Sequence, residues 1–173
     1  KEEEKKMSFN LIDGPNLQYH FCPVYSHYGD RGDLTLFPGF QMQVDCLRPE
    51  SRGSVTLRSS DPHHAPKCLF NYFEREEDLT DLVDGLEMAT EILHQPSFDK
   101  FRGLAGVPSS ELVDVIRSGG TSEALRQWIR ENSATDYHPC GTCRMSGNEN
   151  DESAVVDSKM RVRGLEGVRV VDA

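Results

Sequence analysis

A histidine, a tyrosine and two cysteines fall close together near the end of this 173-residue chain, and their types and spacing could support chemistry. His138 lies between Tyr137 and Pro139, and Cys140 and Cys143 follow in a Cys-x-x-Cys arrangement. An imidazole can exchange a proton with a hydroxyl group near neutral pH. Because proline restricts the preceding residue to extended backbone, His138 can present its ring to a pocket while the chain turns away. The segment is therefore a candidate acid–base site.

The cysteine pair offers a second interpretation of the same segment. Two thiols at this spacing are typical of a redox dithiol or of half a zinc site, and His138 would add a third ligand. The other cysteines are single residues on or beside predicted strands: Cys22, Cys46 and Cys68. We therefore predict no metal site, and keep as the alternative a noncatalytic metal- or redox-binding module that uses His138, Cys140 and Cys143.

Composition and charge exclude several classes of partner. A formal net charge of −10 argues against nucleic acid and against docking on anionic lipid through charge. No run of about 18 apolar residues is present, so we predict no transmembrane segment. An odd number of scattered cysteines does not resemble a disulfide framework. We expect a reducing intracellular compartment, with the cytoplasm favoured and peripheral membrane association left open.

Strand patterns dominate the first third of the chain and return at its end. Residues 39–47 alternate apolar and polar side chains, and residues 54–58 alternate again after a Pro- and Gly-containing turn. These two strands are predicted to pair as an antiparallel hairpin. Residues 27–38 are predicted to be a loop. Further short strands are predicted at 16–25, 68–72, 154–156, 160–162 and 168–171.

Helical spacing appears only in the middle of the chain. Apolar residues recur every three or four positions over 76–94, and Pro96 ends the pattern. A second helix is predicted over 121–132 with Thr121 as its N-cap, and a helical turn at 114–116. This order predicts an α+β fold with an antiparallel sheet. No glycine-rich phosphate loop follows a predicted strand, so the chain has no dinucleotide-binding signature of its own.

Several segments resemble one known family in the same order. Residues 136–145, Val156-Asp157 and residues 161–173 are similar to the C-terminal signature of the glucose-methanol-choline (GMC) oxidoreductases, flavoenzymes that oxidise alcohols. Residues 47–59, 70–72 and 95–96 extend the resemblance through most of the chain. It implies a substrate-binding domain whose antiparallel sheet of about six strands roofs a flavin on one face and carries helices on the other.

The resemblance also implies a division into parts. Residues 1–10 would be a charged lead-in, and residues 11–173 would be the substrate-binding domain, truncated at its C-terminus. FAD would be the cofactor, held mainly by a flavin-binding domain absent from this sequence, with Asp172 and Ala173 meeting it from this side. A second catalytic His or Asn would follow Ala173. Alone, the chain is expected to be inactive.

Roles for individual side chains follow from the same resemblance. His138 would be the catalytic residue, Tyr137 would contact the substrate beside it, and Cys140 and Cys143 would be packing residues. Residues 15–23 are similar to a segment of the choline-oxidising members, in which the residue matching His20 lines the substrate cavity. The implied reaction is oxidation of a primary alcohol such as choline to the aldehyde by hydride transfer to the flavin. The implied partners are that small alcohol and the missing FAD-binding domain.

Overall fold

The structure is a computed structural model that describes residues 14–28, 34–103, 108–119 and 122–173. The predicted lead-in at residues 1–10 lies outside this range. The chain divides into two compact units. Unit 1 comprises Lys1–Ser51 and Tyr72–Ser133, and unit 2 comprises Arg52–Asn71 and Ala134–Ala173.

Six short strands are present in the described part of the chain, and all of their pairings are antiparallel. They form three two-stranded sheets: β1 (Leu17–Cys22) with β4 (Gln41–Cys46), β2 (Tyr25–Tyr28) with β3 (Leu34–Phe37), and β5 (Ser54–Thr56) with β6 (Lys67–Leu69). With the helices described below, they confirm the predicted α+β class and the strand count of about six. The strands pair as three ribbons rather than as one continuous sheet.

The predicted hairpin between residues 39–47 and 54–58 is wrong. β4 pairs with β1, with Leu17 opposite Cys46, and β5 pairs with β6. The chain leaves the first sheet after β4 because the backbone amides of Glu50 and Ser51 donate to the buried carboxylate of Asp78. The segment predicted to be a hairpin turn is therefore hydrogen-bonded to a helix instead.

Two other strand predictions need correction. The predicted loop at 27–38 instead contains the second half of β2 and all of β3, and the rings of Tyr25 and Phe37 lie 5.8 Å apart across this ribbon. The predicted C-terminal strands at 154–156, 160–162 and 168–171 appear only as single bridges, such as Val156 with Val162 and Arg161 with Arg169. Turns at Gly164 and Gly167, both with positive φ, keep these segments too short for a ladder.

The first and third helices follow the predicted spacing closely, whereas the helical turn predicted at 114–116 is an eight-residue helix. The helices are α1 (Glu76–Leu93), α2 (Ser110–Arg117) and α3 (Glu123–Asn132), with a single 3₁₀ turn at Pro96–Phe98. Thr121, the predicted N-cap of α3, lies outside the described residues. Ser122 caps this helix instead, because its hydroxyl oxygen accepts from the amide of Leu125 at 3.1 Å.

The core of unit 1 lies where the three helices meet the β1–β4 sheet. Its buried members are six apolar side chains: Leu79, Leu82, Val83, Ile116, Leu125 and Ile129. Val44 and Cys46 of β4 and Trp128 of α3 pack against this cluster. Burial of the Cys46 thiol raises its pKa, so it behaves as an apolar packing residue.

Gly85 allows α1 to approach the sheet closely. A Cβ atom at this position would lie 2.5 Å from Cγ1 of Val44 and 3.3 Å from Cδ1 of Leu17. The hydroxyl of Tyr19 donates to the carbonyl of Gly85 at 3.2 Å, which fixes the same contact from the strand side. The absence of a side chain at Gly85 therefore sets the distance between helix and sheet.

Gly85→Ala is expected to destabilise unit 1 by about 1–2 kcal/mol. Overpacking against the stiff Val44 side chain costs about 1–3 kcal/mol, and helix propensity returns at most about 1 kcal/mol. Trp128, the single tryptophan, reports urea unfolding of this unit by fluorescence. In a Val44→Ala background the same substitution should be close to neutral. A gain in stability from Gly85→Ala in the parent chain would contradict the close approach.

Candidate functional site

His138 lies in unit 2, on the irregular segment after the last helix. Its side chain is 82% exposed, and its Nε2 atom lies 3.7 Å from Oδ2 of Asp136. An exposed pair at this distance interacts weakly in water. The imidazole therefore makes only a weak contact with Asp136, and within this unit its ring is accessible for proton exchange.

The backbone beside His138 is strained. Tyr137 has φ of 62°, the left-handed region that an aromatic residue rarely adopts, at a cost of about 1–3 kcal/mol. The Tyr137 amide donates to Oγ1 of Thr135 at 3.0 Å, and this short turn holds the conformation. The Tyr137 side chain is 70% exposed. An exposed aromatic and an exposed imidazole are thus presented by adjacent residues.

Backbone hydrogen bonds hold the chain that follows the Cys-x-x-Cys pair. The amide of Val155 donates to the carbonyl of Arg144 at 2.9 Å, and that of Ser146 donates to the carbonyl of Val156 at 3.1 Å. Val156 is 2% exposed and is one of the few buried side chains of this unit. The Val156-Asp157 motif noted in the sequence therefore anchors Arg144 and Ser146, a few residues beyond His138.

Arg163 organises the loop between these anchors. Its guanidinium donates to the backbone carbonyls of Ser146, Asn148 and Asp151 at 2.8–2.9 Å. Nearby, hydrogen bonds from Ser153 lower the pKa of Asp151 to about 2, and those from Arg161 lower the pKa of Asp157 to about 2. Both pKa values lie below the ordinary 3.8, so these contacts are present above about pH 4 and are lost as the pH falls towards 2.

Arg163→Lys is expected to loosen residues 146–156 by about 1–3 kcal/mol, because an ammonium group cannot reproduce the planar fork that reaches three carbonyls. Amide hydrogen exchange of Val155 and Val156 measures this opening directly. Arg130→Lys, in the exposed last turn of α3, is the matched control and should leave these amides unchanged. Unchanged protection in Arg163→Lys would show that the loop does not depend on the guanidinium.

The two cysteines of the motif differ in their surroundings. Cys140 is exposed and Cys143 is half-buried, and both are free thiols. The packing role predicted for Cys140 is therefore not seen within unit 2. Across the described ranges, no group of three or more His, Cys, Asp or Glu side chains could hold a metal ion. The alternative metal-binding function thus finds no support in this structure.

His20 lies on β1 in unit 1, with 45% of its side chain exposed. Its Nε2 atom lies 3.0 Å from Oδ2 of Asp45 and 2.9 Å from the side-chain nitrogen of Gln18. The register places Gln18 opposite Asp45 and His20 opposite Gln43, so all four residues share one face of the β1–β4 sheet. Asp45 was not among the residues predicted for the site, because its only signal in the sequence was its position on the polar side of an alternating strand.

The described residues fit the redox-active ring of the flavin cofactor but not its pyrophosphate. Pyrophosphate favours a helix N-terminus free of acidic side chains. The first turns of α1, α2 and α3 all carry acidic residues, so the described helices do not suit it. The exposed His138 imidazole fits chemistry at the redox-active ring, and Asp172 and Ala173 are exposed.

Comparisons with known proteins agree on one family. The model of the GMC oxidoreductase family, in its C-terminal part, matches residues 49–173. An oxygen-dependent choline dehydrogenase from Cronobacter sakazakii and one from Escherichia coli are each 43% identical over 159 residues, 92% of this chain. The chain spans about a quarter of those relatives, 26% of their length. This chain belongs to the GMC oxidoreductase family.

A solved structure supports the fold independently. A structure concerned with FAD modification in a variant of Aspergillus oryzae formate oxidase superimposes with a TM-score of 0.72 and 25% sequence identity. The match covers 94% of this chain and 27% of the formate oxidase chain.

Over the residues described, no helix combines the length and the hydrophobicity needed to cross a membrane.

Proposed function

We propose that this chain is the substrate-binding part of an FAD-dependent dehydrogenase that oxidises a primary alcohol, with choline as the favoured substrate. The observation that carries the proposal is the exposed, loosely partnered imidazole of His138, held on a strained and anchored segment. Family membership and 43% identity to oxygen-dependent choline dehydrogenases support it. The chain alone is expected to show no turnover, because its described helix N-termini suit no flavin pyrophosphate.

His138 is the residue that handles the proton. In alcohol oxidation the hydroxyl proton leaves the oxygen as hydride leaves the carbon, and an imidazole positioned at that oxygen takes the proton or stabilises the alkoxide. FAD, when bound, supplies the hydride acceptor. Tyr137, presented beside His138, contacts the substrate and shields it from water. His20, on β1, is proposed to contact the substrate, and Asp172 and Ala173 are proposed to contact the cofactor.

A chimaera tests the proposal. We define it as the Cronobacter sakazakii choline dehydrogenase in which the region matched by this chain is replaced by residues 14–173. The chimaera is expected to copurify with FAD and to oxidise choline, measured by dye reduction and by aldehyde formation. Ethanolamine and a long aliphatic alcohol serve as alternative substrates. A folded, FAD-loaded chimaera that oxidises none of these alcohols would contradict the proposal.

The cellular location is proposed on chemical grounds. All five cysteines are free, and a Cys-x-x-Cys pair with an exposed thiol would be oxidised in a secretory compartment. We therefore place the protein in a reducing, cytoplasmic environment. Cell fractionation with an antibody against the chain measures this, and recovery from a secreted fraction would contradict it.

A further inference from the structure

Few hydrogen bonds hold the segment of unit 2 that carries His138. Across the described chain, residues 134–140 make no backbone–backbone hydrogen bond. Their one hydrogen bond runs from the Tyr137 amide to Oγ1 of Thr135 at 3.0 Å. Thr135 is also half-buried, whereas the other residues of this segment are exposed. The Thr135 hydroxyl is therefore the group that fixes the backbone before the imidazole.

This hydrogen bond matters because the backbone of Tyr137 is strained. Its φ of 62° lies in the left-handed region, which is unfavourable for a residue that carries a Cβ atom and a ring. Such a conformation persists only where the surrounding structure holds it. The Tyr137 side chain is 70% exposed, so packing within unit 2 contributes little to holding it. The strained conformation of Tyr137 thus depends on the Thr135 hydroxyl.

The hydroxyl acts on the peptide plane that precedes the Cα atom of Tyr137. A threonine that accepts from the amide two residues later closes a turn in which its side chain takes the place of a backbone carbonyl. That turn fixes the plane from which Tyr137 enters positive φ. On the other side, Pro139 disfavours the helical region for His138. The backbone is therefore restricted on both sides of the imidazole, and its direction follows.

We propose that Thr135 is a positioning residue that holds Tyr137 at positive φ and so directs the imidazole of His138. The consequence for catalysis rests on the proposed function: the imidazole must meet the alcohol oxygen as hydride leaves, and a small displacement of such a group lowers the rate steeply. If Tyr137 relaxes to negative φ, the chain changes direction just before His138 and the ring leaves that position. Thr135 thus acts through backbone geometry, without touching substrate.

Nuclear Overhauser spectra of the isotopically labelled 173-residue chain test the assignment, because positive φ brings the amide and α protons of one residue closer together than negative φ does. The wild-type Tyr137 cross-peak is expected to be strong. Thr135→Val keeps the branched shape and removes the acceptor oxygen, so the ratio of positive to negative φ at Tyr137 should fall by about 3- to 10-fold. A weak wild-type cross-peak, or an unchanged one in Thr135→Val, would overturn the proposal.

Two further variants separate the hydroxyl from general effects of substitution. Thr135→Ser keeps the acceptor oxygen and should retain the strong Tyr137 cross-peak. Ser133→Ala removes a nearby exposed hydroxyl and should leave the cross-peak unchanged. Exchange protection of the Val156 amide, which donates to the carbonyl of Arg144, reports that unit 2 stays folded. Loss of that protection in Thr135→Val would make Thr135 a stability residue and would overturn the positioning role.

The chimaera measures the catalytic consequence. Thr135→Val should lower the rate of flavin reduction at saturating choline, counted per bound FAD, by about 2- to 10-fold, and Thr135→Ser should keep the parent rate. A purely structural role would lower FAD content or yield instead. Equal rates per flavin in the parent and in Thr135→Val would overturn the catalytic role. Because φ is measured on the chain itself, an inactive chimaera would contradict the proposed function and leave the Thr135 assignment intact.

Discussion

His138→Ala in the chimaera is expected to lower kcat for choline by about 100- to 10,000-fold while FAD content stays near that of the parent. A positioned acid–base group is typically worth that factor, because it acts on the proton only as the hydroxyl bond breaks. The flavin pyrophosphate finds no suitable helix N-terminus among the described residues, so losing one exposed imidazole should not release the cofactor. Stopped-flow reduction of the bound flavin measures the chemical step directly.

Two other substitutions make this expectation specific. His20→Ala should act more on KM than on kcat, because a pocket wall contributes to substrate and transition state alike. Cys140→Val should be nearly silent, since Cys140 is an exposed free thiol with no metal group around it in the described chain. If Cys140→Val were as damaging as His138→Ala, or if His138→Ala kept near-normal turnover, the chemistry would not belong to the histidine.

The helices of this protein could be predicted from sequence because their signals are local. The three- and four-residue spacing over α1 predicted its bounds to within one residue, and Pro96 marked its end. Strand pairing is non-local and could not be predicted in the same way. Alternation identified β4 as a strand, but its partner β1 lies earlier in the chain, beyond the β2–β3 ribbon. Each strand of that ribbon spans four residues, too few for a clear periodic signal.

The candidate site shows the same limit in its chemistry. His138 and Tyr137 could be proposed from the sequence because their motif is contiguous. Asp45 was missed because its proximity to His20 exists only once the register of β1 against β4 is known. The bonds from Arg163 to loop carbonyls were missed for a related reason, since backbone acceptors leave no mark in the amino-acid sequence.

Asp78→Ala is expected to destabilise unit 1 by about 3 kcal/mol, the largest stability effect that the structure predicts. Asp78 is 5% exposed, and its two carboxylate oxygens accept from the backbone amides of Glu50 and Ser51 at 2.6 and 3.0 Å. Each hydrogen bond to a charged group contributes about 1.5–3 kcal/mol. Removing the carboxylate takes this acceptor away from two backbone amides in a partly buried turn.

The reason for this large effect is a hydrogen-bond network that joins two distant segments. α1 begins after Arg75, whose side chain does not cap the helix. In the turn after β4, the Ser51 hydroxyl oxygen accepts from the Arg75 amide at 3.0 Å, while the Asp78 carboxylate accepts from the Ser51 amide. The network therefore ties the residue before α1 and the first turn of α1 to the turn after β4.

Urea unfolding followed by Trp128 fluorescence measures the loss, because this single tryptophan packs against the core of unit 1. Asp78→Asn should be nearly as damaging, since an amide offers one acceptor oxygen and sets a donor against a backbone N–H. Glu77→Ala, one residue earlier and exposed, should change stability by no more than about 0.5 kcal/mol.

Ser51→Ala should remove part of the same stabilisation. In the Ser51→Ala background, Asp78→Ala should cost less than it does alone, because the two residues share one network. Additive losses in the Ser51 and Asp78 variants would show that the two hydrogen bonds act independently and do not form one network.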